Sequence, residues 1–136
     1  MATTSGAAPL VTKLAIEVSA VAAGNDASFV ARAPYAGIVT GVTYVPVTAI
    51  TGAATNNRTH SVVNKAQDGT GTTSVATLNY ASGTDAVAFD ENTITLSSTA
   101  ADKVVAAGDI LSVNSTHIGT GIADPGGTMF IEISRD

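Results

Sequence analysis

The sequence predicts a single all-β domain, a sandwich or a barrel, on three observations. Short segments rich in Val, Ile and Thr alternate apolar and polar residues with period two. Turn signals built from Gly, Asn, Asp and Pro interrupt them every 8–12 residues, which gives about eight strands. No window sustains the 3.6-residue period of an amphipathic helix, and no repeat recurs at fixed spacing.

Residues 1–9 are small and polar and end at Pro9, and residues 1–12 read as a flexible N-terminal arm before a sandwich domain at 13–136. Leu14, Ile16 and Val18 alternate with Lys13, Glu17 and Ser19, a strand with one face buried. Gly24-Asn25-Asp26 marks a turn, and ASFVARA at 27–33 is a second strand closed by Pro34. GIVTGVTYVPV at 37–47 is too β-branched for a helix, and Pro46 ends it or puts it at an edge. A strand follows at 58–65, then the loop AQDGTG, then TTSVATLNY at 72–80 with Ala76, Leu78 and Tyr80 on one side. Val87 and Phe89 make a short apolar step before TITLSS at 93–98. The most helix-like piece, STAADKVVAA at 98–107, is short and reads better as a turn plus strand. Strands at 110–115 and 128–134 close the chain around the loop GTGIADPGG. The alternation nominates Leu14, Ile16, Val18, Val62, Leu78, Ile94, Leu96, Leu111, Val113, Ile131 and Ile133 as core or interface residues.

Composition excludes several functions. With 136 residues the chain is one domain that needs no metal or disulfide to fold. It has no cysteine, so thiolate zinc sites, iron–sulfur clusters and cysteine nucleophiles are out. Net charge is −5 and six basic residues are scattered, so no phosphate-neutralising stripe for nucleic acid forms. Aromatics are 4% with no Trp, which argues against stacking platforms for bases or sugars. Apolar stretches break within about ten residues, short of the roughly 20 that span a membrane, and MATTSGAAPLV lacks the basic start of a secretory signal.

Chemical motifs are sparse. His60 and His117 are separated and sit in polar strand contexts without a nucleophile motif, which predicts half-exposed strand histidines. Asp85, Asp90 and Glu91 in DAVAFDE, and Asp68 in Asp68-Gly69-Thr70-Gly71, miss the alternate-position spacing of a calcium loop. The Gly69–Thr73 stretch lacks the Lys and the following helix of a phosphate loop and reads as a hairpin loop. Asn57-Arg58-Thr59 and Asn114-Ser115-Thr116 match the glycosylation triplet but signal only a surface loop or strand. No catalytic, cofactor-binding or metal-binding residue is assigned, and the chain is expected not to be an enzyme. Only 12% of residues are charged, a level that suits a surface partly covered by identical subunits or a larger assembly.

Four segments together carry a resemblance. They are Ile50-Thr51-Gly52-Ala53-Ala54-Thr55-Asn56, then Val62-Val63-Asn64 with Asp68-Gly69-Thr70-Gly71, then residues 104–113 (VVAAGDILSV), then residues 119–127 (GTGIADPGG). In pattern and order they resemble tailed-phage head decoration (capsid cement) proteins over residues 35–135. The resemblance implies a jelly-roll-like antiparallel β-sandwich, commonly a homotrimer. It implies a place on the outer capsid surface of a virion, where the protein would clamp neighbouring major capsid protein subunits without nucleic acid or membrane. A phage fibre or receptor-binding head, or a carbohydrate-binding sandwich module, is the alternative. Pro9, Leu10 and Val11, an extended apolar tip on the arm, are the candidate capsid- or partner-binding residues.

Overall fold

The computed structural model describes residues 10–135 as ten strands and one 3-10 turn. The strands are β1 (Leu10–Val18), β2 (Ala27–Arg32), β3 (Gly37–Pro46), β4 (Asn57–Asn64) and β5 (Thr73–Asn79), then three two-residue pieces, β6 (Asn92–Thr93), β7 (Thr95–Leu96) and β8 (Val104–Val105), then β9 (Ile110–Ile118) and β10 (Gly127–Arg135). The 98–107 stretch is the 3-10 turn Ala100–Lys103 followed by β8, a turn plus strand as its composition predicts.

Two antiparallel sheets face each other. One runs β1-β10-β3-β6, with β8 also on β3, and the other runs β2-β9-β4-β5-β7. The strands β1 to β4 alternate between the sheets, β4 and β5 form a hairpin within one, and β9 and β10 slot between earlier strands. This is the strand order of a jelly roll. Its loops divide into two ends. Residues 19–26, 47–56, 80–91 and 119–126 lie at one end, and residues 33–36, 65–72 and 97–109 at the other.

Period-two alternation sets the core. Ile16, Val18, Val62, Ile94, Leu111, Val113, Ile131 and Ile133 are buried, while Leu14, Leu78 and Leu96 are partly buried against them. Two irregularities break the alternation: the β3–β10 register shifts between Glu132 and Ile133, leaving Thr40 extra, and the β4–β5 register shifts between Val62 and Val63, leaving Val75 extra. The second bulge lets the consecutive Val75 and Ala76 both turn inward. Residues 92–96 are one segment that changes sheets. Asn92 and Thr93 pair with β3, Thr95 and Leu96 pair with β5, and Ile94 between them is fully buried and bonds Val42 through its backbone. This stitch closes one side of the sandwich, while β1 and β2 are the edges of the other.

Regular structure begins earlier than the sequence suggests. β1 begins at Leu10, and Leu10, Val11 and Thr12 pair with Arg135, Ser134 and Ile133. The edge of β10 offers these residues ladder hydrogen bonds that composition does not reveal. Leu10 and Val11 remain 44% and 52% exposed, so they are available to a partner while belonging to the sandwich. Pro9 lies outside the described residues. Because both side chains are half solvated, Leu10→Ala with Val11→Ala should lower stability by only about 1 kcal/mol, measured by urea denaturation. A loss above about 3 kcal/mol would mean that both are covered.

Candidate functional site

The end of the sandwich that carries the 19–26, 47–56, 80–91 and 119–126 loops holds a polar cluster inside the core. Alternation puts it there: Arg58 and His60 share the inward parity of Val62 on β4, and Tyr44 shares that of Val42 on β3. Arg58, His60, Tyr44 and Tyr80 are fully buried, and Asp124 and Ser115 are nearly so.

Asp124 is the hub. Its Oδ1 accepts from the Tyr44 hydroxyl at 2.7 Å and from the Gly126 backbone N–H at 3.0 Å. Its Oδ2 accepts from the Ser115 hydroxyl at 2.7 Å and lies 2.7 Å from His60 Nε2. A carboxylate only accepts, so His60 carries its proton on Nε2. His60 Nδ1 then accepts from the Tyr80 hydroxyl at 2.9 Å, and that hydroxyl accepts from Asn92 Nδ2 at 2.8 Å. This single tautomer satisfies the whole chain of hydrogen bonds. The His60 ring also meets Tyr44 and Tyr80 edge-on, with centroids 4.5 and 5.1 Å away.

Arg58 balances the charge through Ser115, donating from Nη1 to Ser115 Oγ at 3.1 Å. Its Nε donates to the Ile122 carbonyl and its Nη2 to the carbonyls of Ala22, Ala23 and Asn25. One side chain therefore ties residues 22–25 to the 119–126 loop. The backbones of Val21 and Asp124 bond each other reciprocally and complete that tie. Among the described residues, no buried side-chain nitrogen or oxygen lacks a partner.

Burial alone would raise the Asp124 carboxyl, but hydrogen bonds from His60, Ser115 and Tyr44 prevail and hold it well below the usual range. Burial and the adjacent Asp124 push the Tyr44 phenol up, and burial and the same charge do so for Tyr80. Burial pulls the Arg58 guanidinium down, against the opposing charge of Asp124. A carboxyl depressed in the fold contributes stability that is complete above its ordinary pKa of 3.8 and is lost as pH falls below it. Denaturation midpoints between about pH 5 and 2 should therefore fall steeply in the wild type and less steeply in Asp124→Asn. Equal slopes would show that Asp124 does not titrate this way.

Ser115, His60 and Asp124 are residue types of a hydrolytic triad, but the hydroxyl bonds the carboxylate instead of the imidazole and the group is sealed from solvent. It is a structural brace. His60 thus departs from the half-exposed histidine that its polar neighbours suggest, because strand parity outweighs their polarity. His117 fits that description, with its ring and backbone N–H on Asp26 Oδ1 at 2.6 and 2.8 Å.

The other candidates stay apart. Asp68 Oδ1 accepts from the Thr70 backbone and hydroxyl inside the β4–β5 hairpin loop. Asp85 accepts from the Gly52 N–H, and Asp90 from the Glu91 N–H. Among the described residues no three His, Asp or Glu side chains gather as a metal site. Asn57 and Asn114 lie in strands, and Asn57 is buried with bonds to Ala53 and Asn79.

Over the braced end the surface turns apolar. Val87 is 65% exposed and Phe89 is 77% exposed, and Phe89 holds a left-handed backbone at φ +60°. Such a conformation strains a bulky side chain. Here it is held by the Phe89 N–H on the Pro46 carbonyl, which sets Phe89 beside exposed Val47. In the sequence Val87 and Phe89 are only an apolar step, since nothing local says that they face outward.

No helix among the described residues is long and apolar enough to cross a membrane. No family model, curated protein or solved structure matches the chain.

Proposed function

We propose that this protein is a structural component of a virion that binds the outer surface of a phage capsid and braces contacts between major capsid protein subunits. It acts by binding, as a homotrimer, with no chemical turnover. The observation that carries the reading is the pairing of a fully satisfied polar brace inside one end with large exposed apolar side chains over that same end. A rigid loop cluster loses little conformational freedom on docking, so apolar contact area converts into affinity with less entropic loss. Several copies on one lattice multiply modest contacts into lasting attachment. The sequence resemblance to capsid cement proteins and the jelly-roll strand order point the same way.

The test is co-sedimentation of the purified protein with empty shells of the major capsid protein from the same virus, followed by heating of the decorated shells. Saturable binding and a higher shell disruption temperature are expected. Absence of binding at micromolar protein would overturn the reading.

A further inference from the structure

The outer face of the β1-β10-β3-β6 sheet, turned away from the core, holds a hollow that the brace does not use. Phe130 is its half-buried floor, with Ala15 of β1 and Thr43 of β3 directly beside it in register. Lys13, Gly41, Glu91 and Glu132 complete the rim, and a lobe of about 170 Å³ lies among them. A second lobe of about 160 Å³ lies over the same Phe130 toward Val45. Each lobe is smaller than a small-molecule pocket of roughly 300–1,000 Å³, so the hollow suits one long side chain better than a cofactor. Gly41 keeps it open: a Cβ there would meet only Glu132 Cβ, at 3.9 Å. The bulge at Thr40 orients the rim, because the Thr40 hydroxyl donates to Glu132 Oε1 at 2.8 Å and holds the carboxylate by one oxygen. Among the described residues Lys13, Glu91 and Glu132 make no ion pair, although Lys13 and Glu132 are direct cross-strand neighbours.

We propose that this hollow seats an arginine side chain of the partner protein on which the domain docks. Charge selects a cation: two carboxylates against one ammonium line the hollow, and Glu17 adds a third carboxylate on the same face of β1. Phe130 offers an aromatic ring to the same space, which attracts a cation further. A planar guanidinium can lie against that ring, with its alkyl stem toward Val45 and its N–H fork on the carboxylates. A lysine ammonium is a strongly hydrated point charge with no plane to stack, so arginine is the better fit. The net charge of −5 favours approach to a basic surface. The inference rests on the proposed function for there being a protein partner, and it adds the chemistry by which that partner is gripped.

Titration of the full isotope-labelled chain with N-acetyl-arginine amide, followed by NMR, tests it, with the uncharged N-acetyl-citrulline amide as the control. Amide signals of Gly41, Thr43, Phe130 and Glu132 should shift saturably with millimolar arginine amide and stay in place with citrulline amide. Glu91→Gln and Glu132→Gln should each weaken binding about 2–5-fold, and Lys13→Met should tighten it about 2-fold, the range of exposed charge pairs. Gly41→Leu keeps every charge but fills the hollow, so it should abolish the shifts. Its backbone is not left-handed and has room for a Cβ, and unchanged signals of β4 and β9 verify its fold. If that chain does not fold, Phe130→Leu takes its place and should weaken binding about 2–5-fold. No saturable shift, equal shifts with citrulline amide, or wild-type binding by Gly41→Leu would overturn the inference. Weaker binding by Lys13→Met would do so too, since it would mean an anionic or zwitterionic occupant. Capsid shells bound equally well by wild type and Gly41→Leu would overturn the inference alone. Arginine amide seated in the hollow of a protein that ignores shells would overturn the proposed function and leave the hollow's selectivity standing.

Discussion

Asp124→Ala is expected to be among the most damaging single substitutions in the domain, lowering stability by about 3–5 kcal/mol. It removes the acceptor for the Tyr44 and Ser115 hydroxyls, His60 Nε2 and the Gly126 N–H at once. It also leaves the buried Arg58 guanidinium with only the exposed Asp26 as a counter-charge. Small domains hold only about 5–15 kcal/mol in total, so much of the margin would go. Urea denaturation of Asp124→Ala, Arg58→Met and the double variant forms a cycle. The double variant should lose clearly less than the sum, because removing both charges leaves neither stranded. Strict additivity would mean that the two do not act as a unit through Ser115.

Ile94→Ala should cost about 2–5 kcal/mol, a large-to-small change at a fully buried site. The position matters beyond its volume, because Ile94 sits where residues 92–96 pass from one sheet to the other. Its side chain is the only part of that short segment driven fully into the core. Backbone amides at 92–96 should therefore exchange hydrogen faster in Ile94→Ala than those of β4 and β9. Uniform loss of protection across both sheets would show that the stitch has no local role.

The fold was legible because alternation is a local signal. Leu14 to Val18 and Met129 to Ile133 show their inner face by spacing alone, and Gly108-Asp109 shows its turn by residue type. In sequence the stitch looks like one continuous strand, since nothing in TITLSS says that its first half pairs with one sheet and its second with the other. The brace was half legible. His60 and Arg58 hold the inward parity of Val62, yet their polar character suggested exposure. Asp124 comes from a loop 64 residues further on than His60, and no local pattern links the two. The tip was invisible for a different reason: Phe89 and Val87 look like core residues by type, and only the backbone at φ +60° turns Phe89 outward.

The pairing of Leu10 with Arg135 has a mechanical consequence. β1 and β10 are antiparallel neighbours, so the first and last described residues emerge side by side at one corner. A pulling force applied between them would load the ladder one rung at a time, peeling β1 away like a zipper, where the same rungs under shear would share the load. The domain is thus weak to tension through its own chain and strong to forces spread over its sheets. A load on this domain is better borne through its faces and loop tips than through the paired ends of β1 and β10.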